Sequence, residues 1–287
     1  MNRAAKSLLV TDLDNTLWDW FDAWRSSFGA MLSVLVAQSG VPRETLESEI
    51  REIHQKRRTT EYSYLLNELP SLIAAAGSRA PMDVYDDALH ALHKARKEAT
   101  QLYPGVKRTL VTLKDNGFRI VAYTESVAYW TEWRIKHTDL DGVIDVLYSA
   151  PDHDLPAGVN INDLRRRSAD EYGLKCTEHR PTPRGAIKPS PEILQSILDS
   201  EKVPAEQAVY VGDSLMKDIY MAQQVGLMDV HAKYGEAQGR ADYSLLQKVT
   251  HWTDEDVARE QALRTNDEVV ANHVLSESFD SILDILL

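Results

Sequence analysis

Two carboxylates stand one residue apart at the end of an apolar run, in Leu8-Leu9-Val10-Thr11-Asp12-Leu13-Asp14-Asn15-Thr16. In an extended segment residues i and i+2 point to one side. Asp12 and Asp14 would then lie 5 to 6 Å apart and repel by roughly 3 kcal/mol at an effective dielectric near 20. A second pair, Asp213 and Asp218, follows another apolar run in Gly212-Asp213-Ser214-Leu215-Met216-Lys217-Asp218. Four acids meeting at one place need a cation. An all-oxygen donor set predicts Mg²⁺, which keeps several waters and takes one or two protein carboxylates together with phosphate oxygens of a substrate. Lys188, in Ile187-Lys188-Pro189-Ser190-Pro191-Glu192, offers a fixed positive charge. It stands just before a helix for which Ser190 is the expected N-cap and Pro191 the first residue. Thr124 and Ser126 add hydroxyls, and a helix starting near Ser126 adds main-chain N–H groups for an anion.

These residues are far apart in sequence, so a fold must gather them. Three short apolar or β-branched runs end in them: Leu8-Leu9-Val10, Arg119 to Tyr123, and Ala208 to Val211. Each precedes a helical pattern, which predicts an α/β fold with a parallel sheet covered on both faces. In such sheets ligands bind at the carboxyl ends of the strands, where all three polar clusters lie. Between about Trp20 and Tyr103 strand signals vanish. Helices are expected over Ala23–Ser39, Pro42 to about Arg58 (Leu46, Ile50 and Ile53 on one face), Glu61–Ala76 and Val84–Ala99. The division this predicts is a core of residues 1–19 plus 104–287 and a helical insertion at 20–103. Gly117 is placed to end the helix that begins at Val106. Two polar stretches, 152–186 and 236–267, read as insertions in the core, the first carrying a short helix near Asn162–Tyr172. Ala271–Ser276 reads as a last strand and Phe279–Leu287 as a closing helix.

Composition narrows the function. The net charge of -12 argues against nucleic-acid and anionic-membrane partners, which need a cationic face. It leaves room for a small anionic substrate, which responds to local charge. One cysteine, Cys176, excludes an intrachain disulfide and fits a reducing cytoplasm. The opening MNRAAKS leads into an apolar run cut at once by Asp12, unlike a secretory leader. No stretch reaches 18 uninterrupted apolar residues, so no membrane span is expected.

The ordered set resembles the haloacid dehalogenase-like superfamily of hydrolases, and its phosphatases with a helical C1 cap in particular. Asp12-Leu13-Asp14-Asn15-Thr16 is similar to the first motif, Thr124 to the second, Lys188-Pro189 to the third, and Gly212-Asp213 through Asp218 to the fourth. The likeness covers about 1–20, 100–150, 186–235 and 270–287. It implies a Rossmann-like core and a helical lid over the site. It also implies roles. Asp12 would attack phosphorus and form an aspartyl-phosphate. Asp14 would protonate the leaving alkoxide and then deprotonate water, while its main-chain carbonyl joins Asp12 and Asp213 on Mg²⁺. Asp218 would ligate through water or orient Lys188. Thr124, Glu125 and Lys188 are the expected phosphate contacts. Dehalogenases of the family lack the second acid, because halide leaves unprotonated, so Asp14 favours a phosphate ester. A small phosphorylated metabolite is the expected substrate, with a phosphomutase or phosphotransferase, or a non-catalytic phosphate-binding module, as alternatives. Asp19 matches an acid common after the first motif in capped members.

In the insertion, Arg51, His54 and Arg58 fall on one side of the Leu46–Ile50–Ile53 stripe. A solvated basic helix end is the plain reading; a specificity surface is the sharper one. Trp18 stands near enough to the acids to line the site.

Overall fold

The computed structural model describes residues 5–152, 154–165, 168–237, 239–240, 242–255 and 269–287. Strand β1 (Leu8–Thr11) is fully buried. It pairs in parallel with β2 (Arg119–Val127) on one side and β5 (Ala208–Gly212) on the other, with Val10 level with both Val121 and Tyr210. Around these three lie β3 (Val146–Ala150), β4 (Glu178–Pro181), β6 (Met228–His231) and β7 (His273–Val274). The order is β4-β3-β2-β1-β5-β6-β7, and every pairing is parallel.

Both faces of β1 are buried, as a parallel sheet requires. Leu9 packs with Leu13, Ile120, Val209 and the C-terminal Phe279 on one face. Leu8 and Val10 pack with Val121, Tyr210, Leu194 and Met221 on the other. Each of these side chains has no exposed surface or next to none, and burial of each contributes about 2 kcal/mol. The strand ends therefore stand on a stiff base.

The helical layer comprises α1 (Trp20–Ser39), α2 (Arg43–Arg57), α3 (Pro70–Ala76), α4 (Pro81–Val84) and α5 (Asp86–Ala99). It has its own apolar cluster, built on Trp24, Phe28, Leu46, Ile50 and Leu72. Asp19 caps α1 by accepting the Asp22 N–H at 2.8 Å, and Gly40 ends it in the left-handed region at φ +69°. The helix expected over Glu61–Ala76 is broken: a 3₁₀ turn, Leu65–Glu68, precedes α3, because Pro70 lacks the N–H needed to continue it. The helix expected over Val84–Ala99 runs unbroken as α5 from Asp86, with the single turn α4 standing before it. Core helices α6 (Val106–Asp115) and α7 (Ala128–His137) follow. Gly117 takes φ +85° past the end of α6, as its position predicted.

Neither polar stretch is a simple excursion. The first contributes strand β4, whose Arg180 is level with Tyr148, together with the single turn α8 (Ile161–Leu164). The second forms α11 (Tyr243–Val249), and Ala237, Tyr243, Leu246 and Val249 join the apolar cluster of the helical layer. This segment straps the cap: Arg240 makes two hydrogen bonds to Asp19 at 2.8 and 2.7 Å, and Arg25 reaches Asp242 at 3.1 Å. Its continuation at 256–267 lies outside the described residues. Helix α9 (Pro191–Glu201) begins at Pro191 with Ser190 as N-cap, although the Ser190 side chain makes no capping bond. After β5 come a wide π turn, Leu215–Ile219, and α10 (Tyr220–Val225). The last strand is shorter than expected, and the closing helix is a 3₁₀ turn, Phe279–Ile282, followed by α12 (Leu283–Leu286). No helix among the described residues is long and apolar enough to cross a membrane.

Candidate active site

The loops after β1, β2 and β5 and the segment before α9 meet at the carboxyl edge of the sheet. Lys188 is 4% exposed, and its ammonium sits between two carboxylates, donating to Asp12 Oδ1 at 2.5 Å and to Asp218 Oδ1 at 2.9 Å. The rings of Tyr123 and Tyr210 lie 5.0 and 5.6 Å from it. Asp218 also accepts from the Tyr210 hydroxyl at 2.9 Å and from the Ser214 main chain at 3.1 Å. Its bonds thus serve Lys188 and the β5 loop. Asp12 accepts a further bond from the Thr16 hydroxyl at 3.1 Å. The segment carrying Lys188 is pinned by Glu125, whose carboxylate accepts the Lys188 N–H at 2.7 Å and the Lys217 ammonium at 2.7 Å. A carboxylate so engaged has nothing to donate to a phosphoryl oxygen. Any such contact by Glu125 falls to its main-chain N–H, and the side chain is a bracket for Lys188.

Carboxylate oxygens of Asp12, Asp213 and Asp218 lie within 4.8 Å of one another. Burial pushes the Asp12 carboxyl up to about 7 against the pull of Lys188, with Asp218 and Asp14 adding to the rise. Burial, and after it the charges of Asp12 and Asp218, push Asp213 well above the usual carboxylate range. One ammonium does not balance three acids. A hard divalent cation fits this all-oxygen set.

A carboxyl held at about 7 in the fold and near 3.8 when unfolded stabilises the fold fully below 3.8 and loses that contribution as pH rises through 7. Metal-free protein is therefore expected to lose stability between pH 5 and 8. Added Mg²⁺ should raise the melting temperature more at pH 8 than at pH 5. Thermal scans with EDTA or Mg²⁺ check this; an equal shift at both pH values would contradict it.

Asp14 is held separately. Its Oδ1 accepts the Trp18 indole N–H at 2.6 Å and its Oδ2 the Ser126 hydroxyl at 2.5 Å. It stands outside the three-acid cluster and its side chain is 18% exposed. Burial raises its pKa, while Arg134 and the bonds from Ser126 and Trp18 pull it down. Trp18 is 1% exposed, so its tie to the site is this bond to Asp14, not an open face for substrate. Thr124 is 3% exposed, with its hydroxyl oxygen accepting the Ser126 N–H at 3.1 Å, within the last residues of β2; the helix expected near Ser126 begins at Ala128.

Two glycines let the loops close. A Cβ on Gly212 would lie 2.4 Å from Asp218 Cγ, and one on Gly235 only 1.7 Å from the Asn15 carbonyl oxygen. Gly212 belongs to the fourth motif, but nothing in the sequence around Gly235 marks its contact with the first. His231 Nε2 lies 3.0 Å from the Asp213 carbonyl oxygen and steadies that loop.

Arg51, His54 and Arg58 are not drawn into this cluster by any described contact. Arg51 pairs with Asp254, and Arg58 is exposed at the end of α2. His54 is fully buried with Nδ1 at 2.6 Å from the Val249 carbonyl oxygen, and burial lowers it to about 4, so its ring is neutral. The contacts of Arg51 with Asp254 and of His54 with Val249 hold the strap. Arg134 and Glu61, by contrast, reach the site without having been singled out in the sequence.

A family model described as haloacid dehalogenase-like hydrolase matches residues 6–226, well over half of the chain. The chain belongs to the haloacid dehalogenase-like hydrolases. The glyceraldehyde 3-phosphate phosphatase of Pyrococcus abyssi is 25% identical to this hydrolase over 240 residues, covering 80% of the chain and 82% of the relative. That of Methanopyrus kandleri is 25% identical over 242 residues, with 80% and 85% covered. A 2-haloacid dehalogenase from Pseudomonas syringae superposes at a TM-score of 0.56 with 22% identity, and a phosphatase from Thermococcus onnurineus at 0.52 with 19%. The alignments cover 98% of this chain in both cases, and 98% and 97% of the two structures. They are likenesses of fold.

Proposed function

We propose that this hydrolase is a Mg²⁺-dependent phosphomonoesterase acting on a small phosphorylated metabolite through an aspartyl-phosphate on Asp12. The observation that carries the reading is the separation of its acids. Asp12 is tied to Lys188 within the cation-demanding cluster, while Asp14 is held apart from it by Trp18 and Ser126. A nucleophile and a proton carrier are thereby given different surroundings, which is how two like groups take different tasks.

Asp12 attacks phosphorus in line with the ester oxygen, and the P–O bond to the leaving group breaks. Asp14 gives its proton to the departing alkoxide. It then takes a proton from the water that cleaves the acyl phosphate, releasing inorganic phosphate and restoring Asp12. Lys188, fixed by Asp218 and Glu125, neutralises charge on Asp12 and on the phosphoryl oxygens. Thr124 supplies a hydroxyl to one of them. Asp12, Asp213 and the Asp14 carbonyl would hold Mg²⁺, which when bound neutralises phosphoryl charge as a Lewis acid.

The name shared by the phosphatase relatives supports a phosphorylated three-carbon compound as a substrate class to try first. Turnover of para-nitrophenyl phosphate and glyceraldehyde 3-phosphate is expected with Mg²⁺ and should vanish with EDTA. A folded sample that releases phosphate from no monoester, with Mg²⁺ present, refutes the proposal.

A further inference from the structure

The acid Asp14 faces a buried chain of charge that begins in the cap. Glu61 lies between α2 and α3 and is 7% exposed. Its main-chain carbonyl accepts the Trp130 indole N–H of α7 at 3.1 Å. Its carboxylate accepts Nη2 of Arg134, also of α7, and lies 3.7 Å from Arg96 of α5. The Arg96 guanidinium in turn covers the Trp130 ring at 3.8 Å. Arg134 is 1% exposed, and its Nη1 stands 3.9 Å from Asp14 Oδ1. Neither Nη1 nor Nε of Arg134 has a hydrogen-bond partner among the described residues.

A clasp between cap and core would be complete with Glu61, Trp130 and Arg96. It does not need a guanidinium that reaches past Glu61 to Asp14. A buried donor left without a partner is costly, so the extended reach of Arg134 calls for a reason. We infer that Glu61 and Arg134 form a relay from cap to core that aligns the Asp14 carboxyl for proton transfer to the leaving group, an inference resting on the phosphomonoesterase reading. Seated in the cap, Glu61 occupies one edge of the guanidinium and holds the other at a distance from Asp14. That held charge, 3.9 Å from Oδ1, sets the carboxyl's direction together with the bonds from Trp18 and Ser126, so losing Arg134 also frees the carboxyl. Without Glu61, the carboxylate facing Arg134 is Asp14 itself. A guanidinium pairs with a carboxylate through two parallel bonds, and such a pair would draw Asp14 away from the ester oxygen. Arg134 and Glu61 are positioning residues in this scheme. They touch no reacting atom, and they make proton delivery depend on the cap being in place.

The test uses the leaving group. An alkoxide must be protonated as it departs, whereas para-nitrophenolate need not be. Glu61→Gln and Arg134→Gln are compared with the unsubstituted chain in pre-steady-state release of glycerol from glycerol phosphate and of para-nitrophenolate from para-nitrophenyl phosphate. If Asp14 is misaligned, the loss on the alkyl ester should exceed the loss on the aryl ester by about 10²-fold, the low end of what a positioned acid contributes. In an Asp14→Asn background both substitutions should add nothing further, because they act through Asp14. Glu61→Gln is isosteric and carries the test alone if Arg134→Gln fails to fold. Equal losses on the two esters, or losses that add to that of Asp14→Asn, would overturn the relay and leave the phosphatase reading standing. No turnover of either ester by the unsubstituted chain removes both.

Discussion

Asp12→Asn should lower turnover of every phosphate ester by a factor on the order of 10⁴ or more while leaving the protein folded. The amide is close to isosteric, so Leu9 and Leu13 keep their packing and the Thr16 hydroxyl keeps an acceptor. What is lost is the carboxylate oxygen that the proposed mechanism needs to form the acyl phosphate. Stability should hold or rise at pH 8 without metal. The substitution removes one of three crowded acids, and it does so at the group whose carboxyl burial already pushes up to about 7. Lys188 retains Asp218 at 2.9 Å. Phosphate release and thermal denaturation, measured on the same sample, decide the matter. Turnover above about 1% of the original rate is far outside the loss expected of a covalent nucleophile and would reassign that role.

The carboxyl edge of the sheet was legible because its signals are local. β1, β2 and β5 are buried on both faces and read as short apolar runs, and each ends in the residue that chemistry needs. β3, β4 and β6 escaped for opposite reasons. Val146–Ala150 and Met228–His231 are no shorter than β1, but Ser149, Asp229 and His231 interrupt their apolar runs, and Glu178–Pro181 is polar because it lies at the edge of the sheet with its side chains half-exposed. The strap of 236–255 looked like a surface insertion because few of its residues are apolar. Only the fold shows that Tyr243, Leu246 and Val249 are packed into the cap. The supports of the site are the least legible part. Arg134 could be noticed as a charged residue on the buried face of α7, four residues after Trp130. Glu61 carries no comparable mark, since its partners are 35 and 73 residues away. Asp12 and Asp14 have the spacing of a pair but not its behaviour. The turn that follows β1 gives one to Lys188 and the other to Trp18 and Ser126.

Lys188→Met tests the electrostatic premise of the whole site. Methionine keeps much of the aliphatic stem and can rest against Tyr123 and Tyr210, so packing is largely preserved. The charge is not. Burial alone would lower the Lys188 ammonium, yet Asp12 and Asp218 hold it well above its usual value, so the ammonium keeps its charge at both pH 5 and pH 8. Without it, Asp12, Asp213 and Asp218 face one another with no ammonium between them, since Lys217 is held by Glu125. Removing one partner of a buried pair costs about 3–5 kcal/mol, and that loss is expected in EDTA at pH 8. It should shrink at pH 5. Asp12 and Asp213 are acids raised by burial, so they take up protons in the fold as pH falls, and a protonated acid no longer needs the ammonium. Mg²⁺ should recover part of the stability at pH 8 by supplying charge to the same oxygens. It should not recover turnover, because the phosphoryl group would still lack a fixed positive charge, and removal of one such group costs about 10²–10³-fold. Urea denaturation at the two pH values, with and without Mg²⁺, separates these effects. A loss of stability that is the same at pH 5 and pH 8 would mean that Lys188 matters here for its packing, and that the three acids tolerate one another without help.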